Sequence, residues 1–247
     1  RYATRFGFKF TPTPPGMIPI TNMIGEMQDR PLLPPGVTSS EESTLTYPEM
    51  AMPPSEITLA ELIADAGYQT LHIGKWHLGL EKGTLPHEQG FAESLLRVGG
   101  LYGRLDDPDV IQARQEFDPI DRFLWAATGL SARFNGGPLF EPPKYLTDYY
   151  TDEAVKAIEA NKDRPFFLYL AHWAPHTPLQ ATREDYEALS DIELHRERVY
   201  AAMIRSLDRS VVRVMDALKS NGLDENTLVI FTSDNGGAGY IGLPNVN

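Results

Sequence analysis

Three stretches of this chain repeat one pattern: apolar residues at helical spacing, a glycine or turn, then a short and nearly continuous apolar run. The first begins at Thr58-Leu-Ala-Glu61, a capping-box sequence, and carries Leu59, Leu62, Ile63 and Ala66 at helical spacing. Gly67 supplies the stop, and Tyr68 to Ile73 predicts a strand. In the second, residues 147–161 predict a helix with Tyr150, Ala154, Ala157 and Ile158 on one face, Asp163-Arg-Pro165 turns the chain, and residues 166–171 predict a strand. The third has a long stripe, Val199, Met203, Leu207, Val211, Val214 and Leu218, closed by Asn221-Gly222 and followed by a predicted strand over residues 227–232.

Helix followed by apolar strand, three times over, predicts an α/β fold: a mostly parallel central sheet between helical layers, a three-layer sandwich. Ligands of such sheets bind beyond the carboxyl ends of the strands. Each predicted strand delivers polar residues there: Gly74-Lys-Trp-His-Leu-Gly79, His172-Trp-Ala-Pro-His176 and Ser233-Asp-Asn-Gly-Gly237. The stretch to about Ser55 is rich in Pro and turn formers and reads as loops, and residues 97–146 show little period and read as an insertion within a single domain spanning 1–247.

Composition narrows the function. With 42% hydrophobic and 23% charged residues the chain has the balance of a globular protein. Lys and Arg total 22 against 34 Asp and Glu, a net charge of −12, which disfavours nucleic acid or an anionic membrane as partner, so an anionic substrate would need local cations. No apolar run reaches the roughly 20 residues of a membrane span, and no signal pattern opens the chain at Arg1. Zero cysteines exclude disulfides, thiolate metal sites and a thiol nucleophile within these residues.

The strand-end loops carry the candidate chemistry. Lys75 and His77 place a cation and a proton donor or acceptor on one tight turn, which suits an oxyanion, although taken alone the pair reads more readily as an exposed lysine beside a histidine that satisfies a carbonyl. His176, like His172, follows an apolar strand and can donate a proton to a leaving oxygen if its pKa lies near working pH, or simply order its loop. Asp234 and Asn235 offer hard oxygens that suit calcium, or magnesium, although Asp-Asn-Gly-Gly is also an ordinary turn. His72 and Tyr145, Tyr149 and Tyr150 read as packing, and Asp106-Asp-Pro-Asp109 as a solvated acidic loop. The joint placement of Lys and His, His, and Asp and Asn beyond three strands of one sheet favours a site.

These residues also resemble a family. Gly67-Tyr-Gln-Thr-Leu-His-Ile-Gly-Lys-Trp-His-Leu-Gly79 is similar to the second signature of the sulfatases, residues 166–179 to their central histidine segment, 228–237 to their metal-binding strand end, and Pro86 to Phe91 to the short stretch after the signature. The resemblance implies an alkaline-phosphatase-like fold, incomplete here at both ends, a calcium ion, and a formylglycine nucleophile made from Cys or Ser. It implies that Lys75 binds sulfate and the nucleophile, His77 the hydrated aldehyde, and His176 the leaving ester oxygen, while Asp234 and Asn235 hold calcium. His172 takes no role from it. The Cys/Ser-x-Pro-x-Arg string and the paired N-terminal Asp residues of the family are absent from these residues, and Arg1 to Gly7 resembles the stretch just downstream of that string. The expectation is therefore a fragment, inactive alone and poorly soluble, of an enzyme that removes sulfate from small-molecule or carbohydrate esters. The resemblance suggests a periplasmic, lysosomal or secreted setting and leaves the oligomeric state open. Two other functions fit the same residues, a phosphate or phosphonate ester hydrolase of the superfamily and a non-catalytic binding protein.

Overall fold

A computed structural model describes residues 51–79 and 82–236, the side chains of Pro119 and Ala127 excepted. The Pro-rich opening stretch lies outside the described residues as far as residue 50, as does Gly237.

Helix α1, Leu59–Asp65, starts where the capping box places it: the Thr58 hydroxyl accepts from the Glu61 N–H while the Glu61 carboxylate accepts from the Thr58 N–H at 2.6 Å. Gly67, at φ 87°, turns the chain out of the helix. Only Ala60 of α1 is buried, and Leu59 and Leu62 stay exposed. The spacing found the helix, but spacing does not say which side meets the sheet.

Strand β1, Gln69–Gly74, is the centre of the architecture. It pairs in parallel with β2, Glu93–Arg97, on one side and β6, Phe166–Ala171, on the other, with Gly74 opposite both Leu96 and Ala171. The short strands β4, Ala132–Phe134, and β5, Leu139–Phe140, add antiparallel beyond β2, giving the order β5-β4-β2-β1-β6. Strand β3, Val110–Ala113, pairs antiparallel with β7, Leu179–Thr182, as a separate ribbon. The result is an α/β fold with a mixed, mostly parallel sheet. Helix α2, Pro119–Ala127, therefore sits with β3, β4 and β5 in the stretch that shows no period, and Tyr102, Trp125, Ala132 and Tyr145 of that stretch enter the main core.

Helix α3, Leu146–Asn161, lays Tyr150, Ala154 and Ile158 inward and packs on β1 and β6. Burying a side chain such as Ile158 stabilises the fold by about 1.5–3 kcal/mol, and the single methyl of Ala154 by about 0.8 kcal/mol. Helix α4, Arg183–Glu187, is capped by Thr182, and α5, His195–Ser220, crosses α3 and β7. The stripe expected on α5 is only partly the buried one: Val199, Met203 and Leu218 are inside, but Val211 lies at the surface and small residues, Ala202, Ser206 and Ser210, complete the inner face. Small side chains let two helices approach, and the Thr151 and Ser210 hydroxyls meet at 2.7 Å between them. The fully buried carboxylate of Asp185 is held by Arg209 at 2.5 and 2.9 Å, which ties α4 to α5. Among the described residues no helix is long and apolar enough to cross a membrane.

The third predicted strand is not one. Residues 227–232 pair with no other strand among the described residues, and Leu228, Ile230 and Phe231 are 77% exposed or more. An apolar run supplies a strand's side chains, but only a neighbouring ladder makes it a strand.

Candidate functional site

The carboxyl ends of β1, β2 and β6 lie side by side, so the loops that follow them start from one edge. Gly74 ends β1 at φ 116° with its Cα facing the Ala171 carbonyl, and Lys75 then donates its N–H to that same oxygen at 2.8 Å. Below the turn, His72 is 1% exposed. Its Nε2 lies 3.0 Å from the Lys75 carbonyl, which only accepts, so Nε2 carries the proton and Nδ1 accepts from the Ser94 hydroxyl at 2.9 Å. Burial holds the His72 pKa down to about 4, against the pull of the Lys75 hydrogen bond, so the ring stays neutral at pH 7. A histidine read as packing thus fixes the backbone of the candidate cation.

From that backbone the Lys75 ammonium reaches the Asp234 carboxylate at 2.5 Å and passes 5.7 Å from the centre of the Trp173 ring. Partial burial pushes the Asp234 pKa up, but the hydrogen bond and charge of Lys75, the Asn235 side chain and the nearby His176 outweigh it, and the result is lowered. The run that failed to form a ladder therefore still brings Asp234 to Lys75 at the sheet edge.

Trp173, the second residue of the loop after β6, is buried, with its Nε1 donating to the Gly100 carbonyl at 2.9 Å. The His176 ring stacks on it with centroids 3.8 Å apart and planes within 23°. Its Nδ1 lies 2.6 Å from the Thr177 carbonyl and so donates there, leaving Nε2 as the free position of the neutral ring. Tyr102 donates to the His176 carbonyl, and the Thr177 hydroxyl donates at 2.5 Å to Asp121, a fully buried carboxylate on α2 that also accepts from the Gln115 N–H and Trp125. The outer edge of His176 is accessible, but the protein crowds the ring. That crowding lowers its pKa to about 4; the Thr177 carbonyl and Asp234 pull upward, and the cations Lys75 and Arg97 push down.

Of the residues singled out in the sequence, Lys75, His176 and Asp234 are thus drawn around Trp173, with Asn235 beside Asp234. His77 lies on the same loop as Lys75, exposed and at φ 63°. His172 turns toward α5, its Nε2 2.7 Å from the Ser210 hydroxyl and its Nδ1 buried without a partner. Periodicity and motif gave no notice of Ser94, Arg97 or Asp121, since each acts through a fold contact rather than a spacing. The weak signal for Arg97 was its place at the last position of a strand that ends on this edge.

A hard cation fits the chemistry of Asp234 and Asn235, which present only oxygen acceptors, but not yet the number. Calcium takes 6 to 8 oxygens, and among the described residues no group of three or more His, Cys, Asp or Glu could hold a metal ion.

The sulfatase family model matches residues 36–243. Among curated relatives, the uncharacterized sulfatase YdeN of Escherichia coli (strain K12) is 32% identical over 199 residues, covering 75% of this chain and 34% of the relative. Arylsulfatase J of Mus musculus is 34% identical over 194 residues, covering 75% and 30%. The chain therefore spans about a third of the length of these relatives. Of the solved structures, Ps i-CgsB is 33% identical with a TM-score of 0.63, covering 78% of this chain and 43% of that one, and the same protein in complex with k-i-k-neocarrahexaose is 31% identical with the same TM-score.

Proposed function

This chain belongs to the sulfatase family, and from that premise we propose that the whole protein hydrolyses the sulfate ester of a carbohydrate or aryl alcohol through the loops after β1 and β6. One observation carries the reading: an ammonium and a stacked imidazole converge on one indole at the sheet edge, in a chain of net charge −12. A local cation, Lys75, is what an acidic protein needs to admit an anionic ester. The carbohydrate reading is supported by the sugar ligand named for Ps i-CgsB.

In this reading Lys75 binds the sulfuryl oxygens and offsets the charge that moves to the departing oxygen as the S–O bond breaks. His176 supplies the proton. Free, its ring is neutral because crowding and two cations disfavour a third charge. A bound sulfate ester would set a negative charge beside Nε2, which favours the protonated ring, while Nδ1–H stays committed to the Thr177 carbonyl. His77 would hydrogen-bond the nucleophile. A formylglycine, when present, supplies a covalent acceptor that divides the displacement into two easier steps. Calcium, in preference to magnesium, would be held by Asp234 and Asn235 with oxygens beyond the described residues, and would supply positive charge to the sulfuryl group.

The test is a paired assay of the whole protein on 4-nitrophenyl sulfate and 4-nitrophenyl phosphate. The expected result is a kcat/KM at least about tenfold higher on the sulfate. A preference for phosphate would establish the phosphate hydrolase reading, and no turnover of either the binding protein. For the metal, Asp234→Ala should weaken calcium binding by about tenfold or more, the scale of one lost carboxylate ligand. Unchanged affinity in calorimetry would remove Asp234 from the site.

A further inference from the structure

Arg97 ends β2 at the same sheet edge, and its surroundings are unusual for a guanidinium. The carbon that joins its three nitrogens lies 3.7 Å from the centre of the Trp173 ring. The His176 ring sits 3.8 Å from that indole. Two groups so close to one ring cannot share a face without overlapping each other, so Trp173 is clamped with Arg97 behind it and His176 in front. One Arg97 nitrogen donates to the Gly99 carbonyl, Nε is buried with no partner, and among the described residues no carboxylate pairs with the charge.

A half-buried guanidinium with no carboxylate partner among the described residues stabilises the fold less than an aliphatic side chain of the same length. What a planar cation adds over a methylene chain is attraction to the face of an indole and a flat surface that stops the ring from tilting. His176 is otherwise held by one hydrogen bond from its own ring to the next residue, a contact that fixes Nδ1 but leaves the plane of the imidazole to the indole.

We infer that Arg97 is a positioning residue for the proton transfer: it pins Trp173 from behind, so that the His176 ring keeps the plane in which Nε2 meets the departing oxygen. This rests on the reading of His176 as proton donor given above.

Proton donation matters little to a leaving group that departs as a stable anion and much to one that does not. The experiment therefore measures kcat and KM of the whole protein on sulfate esters ranging from 4-nitrophenyl to alkyl, for wild type, R97M, R97K and H176N, with thermal melts to show that each variant is folded. Expected for R97M is a kcat loss about tenfold greater on the alkyl ester than on the 4-nitrophenyl ester, with KM changed by less than about threefold. R97K keeps the charge but not the plane, and should share that selective loss. Equal losses on every ester, or full rescue by R97K, would overturn the inference, the latter because charge alone then suffices. If H176N is selective for poor leaving groups and R97M is not, Arg97 alone is wrong. If neither is selective, the reading of His176 falls and the inference with it.

Discussion

Replacing Lys75 with alanine in the whole protein should lower kcat/KM on an aryl sulfate by about 10²- to 10³-fold, the scale of losing one preorganised donor to developing negative charge. Three features make this lysine hard to replace. Its backbone is locked on both sides, by its own N–H to the Ala171 carbonyl and by its carbonyl to the buried His72 ring, so the ammonium starts from a fixed point. Its stem is mostly covered, with 17% of the side chain exposed, so its charge is less screened than that of a surface lysine. And the chain around it is acidic, so no diffuse positive field stands in for it. The loss should fall mainly on kcat if Lys75 acts on the departing charge, and mainly on KM if it only captures the anion. Equal kcat/KM for wild type and variant would end its role.

The second large effect is expected from one methyl group. Gly74→Ala would put a Cβ 2.0 Å from the Ala171 carbonyl oxygen and 2.7 Å from its carbon, both backbone atoms of the paired strand. Neither can swing aside as a flexible side chain would, and φ 116° is itself unfavourable for any residue with a Cβ. Strained backbone and overpacking each carry about 1–3 kcal/mol, so the variant should lose about 2–6 kcal/mol. For a domain of this size each kcal/mol moves Tm by about 2–4 °C, and thermal melting of the variant should show a drop of at least about 4 °C. A Tm within 2 °C of wild type would show that the strands part at little cost.

How far the sequence could be read depended on what kind of contact made each feature. Helices α1, α3 and α5 and strands β1 and β6 were legible because each carries its own period, cap or stop. Thr58 with Glu61 and the unbroken run from Phe166 to Ala171 are complete local statements. The run from Thr227 to Thr232 looked the same and was misread, because strand formation depends on a neighbour that the run itself does not contain. Lys75, His176 and Asp234 were legible as polar residues following apolar runs; the parallel pairing of β1 with β6 brings the loops of Lys75 and His176 together, and Asp234 joins them through its contact with Lys75. Arg97 was not: it is one cation at the end of a five-residue strand, and only the fold sets it against an indole from another strand-end loop. Asp121 was equally hidden, since its partners Gln115, Trp125 and Thr177 meet only once the stretch without period has folded.

The short contact between Lys75 and Asp234 has a bearing on how the two ligands proposed for this edge would influence one another. As it stands, each charge is quenched by the other, so a cation at Asp234 must compete with the ammonium, and an anion at Lys75 must compete with the carboxylate. Whichever ligand arrives first frees the opposite charge for the second. The two affinities are then linked by a single coupling free energy, and the factor by which a divalent cation tightens the ester equals the factor by which the ester tightens the cation. Such an edge behaves as an AND gate, closed on itself when empty and receptive to each partner in proportion to the presence of the other.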